Sequence, residues 1–359
     1  MRALAGLVVL AACADPAVSL ELVPPADQAM YDTSCVTTFE IFADGGNYPA
    51  DANDFTSIEV KVDQPRATYG ALLAAMRGKF DIPIPSTGLS GVEIYGWNGD
   101  SGFDTSTTVN PELAFLAVQK YGGSDTFDVP LVPNQSCARA PVTVRPLDLV
   151  PFLASSPRNC AAGAMTEGSF VLGTLTPAMY KDETYFWGGV VSGDVVAAGT
   201  STMQGATQIG PESCVAASGG TAAGDTSTSC LVGAGVCAHP GEYETAVFDN
   251  DYYNNSYDKT IAARYKGLVI GAVFDTTRAS VAGATVSFDT SKGQLVYVDL
   301  DTATKTFKVV PTATATTASG LFMIYSNSLL DVTITGAGRS AKVRMGTPGG
   351  DGMISTIVL

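Results

Sequence analysis

One histidine, seven cysteines and 35 acidic residues are the side chains from which chemistry could be built in this 359-residue chain. Metal-assisted hydrolysis sets two or three His or carboxylate ligands around an open position, and His239 alone cannot supply the imidazoles. A Ser-His-Asp arrangement needs its base beside a nucleophile. His239 lies between Ala238 and Pro240, two residues after Cys237, a turn setting that reads as structural. The sequence has no C-x-x-C pair, no G-x-S-x-G elbow, no phosphate loop and no G-x-G-x-x-G after a strand. Paired carboxylates suffice for glycoside hydrolysis, but among so many acids the spacing singles out no pair.

Oxygen-rich stretches are the sharper signal. Asp249, Asn250, Asp251, Asn254, Asn255 and Asp258 crowd one short segment, and Asp44, Asn47, Asp51, Asn53 and Asp54 another. Calcium takes six to eight oxygens on a flexible loop, so each stretch is a candidate structural calcium site; no other cofactor is expected. Neither has EF-hand spacing, and the competing reading is a turn closed by Asn and Asp side chains. Tyr252, Tyr253, Tyr257 and Trp187 are candidate contacts for a sugar or peptide, against the commoner role of aromatics in packing. On a strand, Tyr252 and Tyr253 would point to opposite faces, so at most one would be a contact.

The elements that must position these groups read as mainly β. Hydrophobic residues make up 46% and charged residues only 15%, against a usual ~25% charged. The net charge of −15 opposes nucleic-acid binding, which is led by Lys and Arg. Residues 33–146 alternate repeatedly: Ile58, Val60 and Val62 against Glu59 and Lys61, Phe39 and Ile41 within Thr37–Ala43, Val92 and Ile94 within Gly91–Trp97. This predicts half-buried strands of an immunoglobulin-like β-sandwich. Pro83 and Pro85 place their strand at an edge, and Pro130 interrupts the strand Phe127–Val132. Ala71–Met76 and Glu112–Lys120 read equally as helix or strand.

Residues 147–263 form a middle segment. Ser169–Leu175 and Tyr185–Val196 read as strands. A long Gly-, Ala-, Ser- and Thr-rich loop follows over Ala197–Gly235, held by disulfides, and then a polar turn over Asp249–Asp258. Residues 264–359 hold eight short strands: Gly267–Phe274, Ala284–Phe288, Gln294–Leu300, Thr306–Val310, Gly320–Tyr325, Asp331–Thr335, Ala341–Met345 and Ile354–Leu359. These predict an antiparallel sandwich. The whole is expected as two or three antiparallel sandwich domains with a disulfide-stapled middle.

Two segments resemble known families. Arg2, the apolar run Ala3–Ala12 and the tetrad Leu10-Ala11-Ala12-Cys13 form an export signal that resembles the lipobox of bacterial lipoproteins. The resemblance implies removal of residues 1–12 and lipidation of Cys13; residues 13–32, with no clear period and a Pro-Pro pair, read as a tether. The run is shorter than the ~20 apolar residues of a membrane span, and Pro16, Pro24 and Pro25 stop a helix. Ala14 stands where an aspartate often signals inner-membrane retention, which points to the outer membrane or cell surface. With Cys13 set aside, Cys35, Cys137, Cys160, Cys214, Cys230 and Cys237 form an even set suited to an oxidising compartment. Fifteen pairings are open. Cys35–Cys137 brackets the first strand-rich segment, Cys230–Cys237 is the local loop, and Cys160–Cys214 remains.

The second resemblance is carried by Gly267–Asp275 (GLVIGAVFD), Val281–Val286 (VAGATV), Ser319–Phe322 (SGLF) and Val332–Gly336 (VTITG). Together they resemble the carboxypeptidase regulatory-like domain, which implies a prealbumin-like β-sandwich. Thr317-Ala318-Ser319 replaces the acidic turn of that family, and Asp289–Thr316 is a Thr-rich insertion. The expected function is a lipid-anchored envelope or surface protein with a structural, adhesive or binding role and no catalytic centre. Its partners would be a membrane, through the lipid, and an envelope protein, peptide or glycan. The alternative is a hydrolase using carboxylates or a metal in the middle segment.

Overall fold

A computed structural model describes residues 17–26, 28–46, 54–99, 112–134, 136–137, 139–165, 169–178, 183–194, 201–206, 213–218, 226–229, 235–239, 242–248, 250–256, 258–265, 267–346 and 352–359. Among these no helix is long and apolar enough to cross a membrane. The lipobox, Cys13, Asn47, Asp51, Asn53, Cys230, Asp249 and Tyr257 lie outside them.

Alternation decides the N-terminal part. It comprises β1 (Ala17–Val23), β2 (Thr38–Gly45), β3 (Phe55–Lys61), α1 (Tyr69–Met76), β4 (Asp81–Pro83), β5 (Leu89–Asn98), β6 (Glu112–Lys120), β7 (Thr126–Pro130) and β8 (Val132–Pro133). One sheet has the order β3-β2-β5-β6-β8 and the other β4-β1-β7. Between them lie Leu20 and Leu22 of β1, Phe39 and Ile41 of β2, Val92 and Ile94 of β5, and Phe115 of β6. These are the inward positions of a period of two. Pro83 sits on edge strand β4 and Pro130 ends β7, where no central ladder loses a donor. The ambiguous segment 71–76 is helical, and the Thr68 hydroxyl caps it by accepting from the Ala71 N–H at 3.2 Å. Residues 13–32, expected as a tether, instead contain β1. Val18, Leu20 and Leu22 alternate with Ser19 and Glu21 and are buried, and β1 pairs antiparallel with β4 and parallel with β7. The expected Cys35–Cys137 disulfide is present, with Cα atoms 5.4 Å apart across 102 residues.

The next part holds β9 (Arg139–Asp148), α2 (Leu149–Ala154), β10 (Ser169–Ala178), β11 (Glu183–Asp194), β12 (Ser201–Ala206), β13 (Ser213–Ser218), β14 (Thr226–Ser229), β15 (Glu242–Val247), α3 (Asn250–Ser256) and α4 (Lys259–Ala262). After it come β16 (Gly267–Phe274), β17 (Thr285–Ser287), β18 (Gly293–Asp301), β19 (Thr306–Val309), β20 (Leu321–Ser326), β21 (Leu330–Gly336), β22 (Arg339–Met345) and β23 (Gly352–Val358). These last eight fall on the expected strands. The stretch 197–235, expected as a loop, instead carries β12, β13 and β14. Its Ser, Thr, Ala and Gly residues show no apolar alternation, so its strands are defined by the ladders of their neighbours. Asn250–Ser256, expected as a turn, is helical.

A nine-stranded sheet, β11-β10-β13-β14-β23-β16-β20-β18-β19, spans both parts. Its β14–β23 and β16–β23 pairs are parallel, as is β9–β15 outside it. Every residue of β16 and of β20 is buried, because the sheet is covered on both faces. Val269, Phe322 and Ile324 meet Val286, Val332, Ile334 and Val343 of the β17-β21-β22 sheet. Leu268, Ile270, Phe274 and Met323 meet Leu149 and Phe152 of α2, together with Phe248 and Tyr252. A strand dry on both faces reads as a continuous apolar run, which is what GLVIGAVF is. Strand β6 is ambiguous in sequence for a related reason. Phe115 and Ala117 face the sandwich core, while Leu116 and Val118 are buried on the other face, where β10 and β11 lie against it.

One packing device occurs in both sandwiches. Gly96 lies opposite Phe115, and Gly271 opposite Phe322. A Cβ on either glycine would lie 2.1 Å or 2.0 Å from that ring, so each aromatic occupies the space of the missing side chain. Gly271→Ala should lower stability by roughly 1–3 kcal/mol, the usual range for overpacking a dense core, as read from the urea midpoint. Adding Phe322→Leu should recover part of that loss. A Gly271→Ala chain as stable as its parent would show that the ring has room to move aside.

Candidate functional site

The lone histidine, two glutamates and a disulfide meet where β15 runs beside β9. The parallel register sets Glu244 opposite Arg145. Arg145 Nε donates to Glu242 Oε2 at 2.7 Å and Nη2 donates to Oε1 at 3.1 Å, a bidentate fork. Nη2 also lies 2.9 Å from His239 Nδ1. The same Nδ1 lies 3.1 Å from Glu242 Oε2, so the ring nitrogen faces both halves of the ion pair. The His239 N–H donates to Glu242 Oε2 at 2.9 Å. Arg145 chiefly holds the Glu242 carboxyl down, to about 2. The partners of the His239 ring are a guanidinium and a carboxylate, so the group is a clasp joining β9 to the turn before β15.

Glu244 is buried beside it. Its Oε1 accepts from Val236 N at 3.1 Å and from the Thr356 hydroxyl, and its Oε2 accepts from Cys237 N at 2.6 Å and Ala238 N at 3.1 Å. Burial pushes this carboxyl up, against the pull of those four donors. Three successive N–H groups form a concave seat for an anion, and the chain's own Glu244 fills it. That seat fixes the backbone of Cys237, which bonds to Cys160 with Cα atoms 5.7 Å apart across 77 residues. The expected Cys230–Cys237 and Cys160–Cys214 pairs are thereby overturned. A tertiary approach of the turn after α2 to the Glu244 seat outweighs closeness in sequence.

In the oxygen-rich segment, Asp251, Asn255 and Asp258 hold short helices in place. Asp251 pairs with Lys305 at 2.9 Å. Asn255 Nδ2 donates to the carbonyls of Thr304 at 3.3 Å and Lys305 at 3.2 Å. Asp258 Oδ1 accepts from Thr260 N at 2.8 Å and Ile261 N at 3.3 Å, capping α4. Asn250 opens α3, and Asn254 is exposed on it. Tyr252, expected as a ligand contact, is buried with its ring 5.5 Å from Phe307; helical spacing turns it into the core. Tyr253 lies in α3, and Trp187 lies in β11 opposite Thr174. In the other stretch, Asp54 accepts from Ser86 and Thr87, which ties the start of β3 to the turn before β5. Among the described residues no three His, Cys, Asp or Glu side chains are gathered as metal ligands.

Sequence reasoning passed over one surface feature, an open groove of 540 Å³ between β1, α1 and β7. Leu20, Leu22, Leu73 and Phe80 line it, and Glu21 and Arg77 lie 3.9 Å apart at its rim. The buried alternation of β1 was its only sequence trace.

No protein-family model and no curated protein matches the chain. Solved structures align with it at low identity. The Bacillus anthracis TIE protein aligns over 96% of this chain and 50% of its own, with 8% identity and a TM-score of 0.17. This chain therefore spans about half the length of that protein. A streptococcal ancillary pilin aligns over 94% of this chain and 98% of its own, with 10% identity and a TM-score of 0.17. A shaft pilin of Lactobacillus rhamnosus GG aligns over 62% and 98%, with 12% identity and a TM-score of 0.18.

Two measurements probe the clasp and the seat. Glu244→Ala leaves three backbone N–H groups without their acceptor and should cost on the order of 3 kcal/mol or more. It should also speed reduction of Cys160–Cys237 by dithiothreitol. Unchanged stability and reduction rate would remove the seat from the account. The depressed Glu242 carboxyl contributes stability that is fully present above its ordinary 4.5 and is lost as pH falls towards about 2. Acid melting curves of Glu242→Gln should be flatter than the parent's across that window, and coincident curves would mean that the ion pair contributes nothing.

Proposed function

We propose that this chain is an exported, lipid-anchored surface protein with a structural or adhesive role rather than a catalytic one. The observation that carries the reading is the use made of its chemistry-bearing side chains. His239, Glu242 and Arg145 clasp two strands, Glu244 seats a backbone turn, and four cysteines form disulfides that each span a large part of the chain. Disulfides of this kind persist in oxidising, extracytoplasmic compartments. Stiff sandwiches fastened in this way hold loops and sheet edges outward for contact. In this reading Cys13 carries the lipid and the protein stands at the outer membrane or cell surface. Residues 264–359 are a carboxypeptidase regulatory-like module serving as a spacer or display domain, and the partner is an envelope protein, a peptide or a glycan.

Growth with labelled palmitate should label the protein in membranes, and mass spectrometry should find its mature N-terminus at an acylated Cys13. Cys13→Ser should abolish the label and shift the protein out of the membrane fraction. A mature chain that carries an unmodified Cys13 would overturn the anchor.

A further inference from the structure

The two sheets of the N-terminal sandwich end on β3, β8, β4 and β7. Pro83 in β4, Pro130 in β7 and Pro133 in β8 blunt three of these edges, because proline cannot donate to a further ladder. β3 is different. It runs seven residues, FTSIEVK, with no proline or glycine, and among the described residues it pairs with β2 alone. Its register fixes which backbone groups that pairing uses. Gly45 N donates to Asp54 O and Val62 N donates to Thr37 O, so Asp54, Thr56, Ile58, Val60 and Val62 turn their backbone groups towards β2. The residues between them turn theirs away. The N–H and C=O groups of Phe55, Ser57 and Glu59 therefore point out of the sheet edge, and among the described residues no backbone hydrogen bond reaches them. The side chains beside them are open too. Phe55 is 49% exposed, Ser57 and Glu59 are exposed, and Ile58 and Val60 are only partly buried at the rim of the core.

An open edge of this kind takes one more strand, and β3 suits a second β3. Laid antiparallel about a two-fold axis through Ile58, Ser57 falls opposite Glu59 of the second copy and Phe55 opposite its Lys61. The edge-facing backbone groups then meet as hydrogen-bonded pairs. On the solvent face the Ser57 hydroxyl lies beside a Glu59 carboxylate, and a Lys61 ammonium reaches the Phe55 ring. On the core side Ile58 meets Ile58 and Thr56 meets Val60, so each copy covers the rim that the other leaves half-exposed. Neighbouring registers fit less well. An axis through Glu59 opposes two carboxylates, and one through Ser57 sets the Glu59 carboxylate against the Phe55 ring, whose face is negative. We propose that two copies of this chain pair antiparallel through β3 about Ile58, joining their five-stranded sheets into one. This isologous contact goes beyond the proposed function and does not depend on the lipid.

The test uses the exported full chain carrying Cys13→Ser, so that lipid cannot draw copies together. Sedimentation velocity should show the mass doubling as concentration rises. Ser57→Pro removes an edge-facing N–H that β2 does not use; it should keep the melting temperature and abolish the doubling. Register is read by cross-linking. Hydrogen-bonded antiparallel pairs set Cα atoms about 5.5 Å apart, within the disulfide range of about 4.4–6.8 Å. Ser57→Cys chains mixed with Glu59→Cys chains should therefore join through the two substituted positions on oxidation, as mapped by mass spectrometry of non-reduced peptides, and neither variant should join to itself. If Ser57→Pro lowers the melting temperature, the cross-linking decides. A chain that stays monomeric at every concentration overturns the proposal. So does doubling that survives Ser57→Pro, or either cysteine variant joining to itself in place of the mixed product. Each of these outcomes leaves the anchored reading standing.

Discussion

Burial of β16 and β20 on both faces is the constraint on which the rest of this structure depends. A central strand with no wetted face needs cover on each side, and the cover has to stay in place. On one side a second sheet supplies it through Val286, Val332 and Ile334. On the other side the cover is pieced together from α2, Phe248 and Tyr252. Short pieces of chain bury little apolar area each, and the ordering entropy of each must be offset by other means. The polar fasteners concentrate on that side. Thr356 of β23, next to β16, donates to Glu244, and Glu244 in turn holds the backbone that carries Cys237.

The residues richest in chemistry are therefore also the fasteners. A buried carboxylate is costly unless donors surround it, and Glu244 has four. Arg145 and Glu242 add an ion pair at 2.7 Å to the parallel strand pair β9–β15. Asp251 and Asn255 bind α3 to the turn after β18. Each uses an interaction that a catalytic or metal site would also use, turned inward on the fold.

Much of the strand order could be read directly from the residues. Phe39 with Ile41, and Val92 with Ile94, mark inward faces because a period of two leaves no other consistent assignment. Pro83 marks an edge because it lacks the donor a central ladder needs. Segments with competing signals were harder. Tyr252 and Tyr253 lie in a segment that reads as a polar turn, but in α3 a helical period sends Tyr252 against Phe307. Residues 213–218 and 226–229 carry so little apolar patterning that only their ladder partners define them as strands. β1 shows the opposite error: three alternating apolar residues are a clear but short signal, outweighed in reading by the prolines on either side of them.

What the sequence alone determined were local matters. It placed the eight C-terminal strands, the inward faces of β2, β3 and β5 and the Cys35–Cys137 link, because alternation and chain punctuation act over a few residues and Cys35 and Cys137 bracket one strand-rich segment. The tertiary structure decided what depends on distant partners. It joined Cys237 to Cys160, made Glu244 a seat rather than a free acid, and ran one nine-stranded sheet from the middle segment into the C-terminal strands. Each of these is a contact between elements far apart in the chain, and its energy comes from desolvation and hydrogen bonding that exist only once those elements have packed.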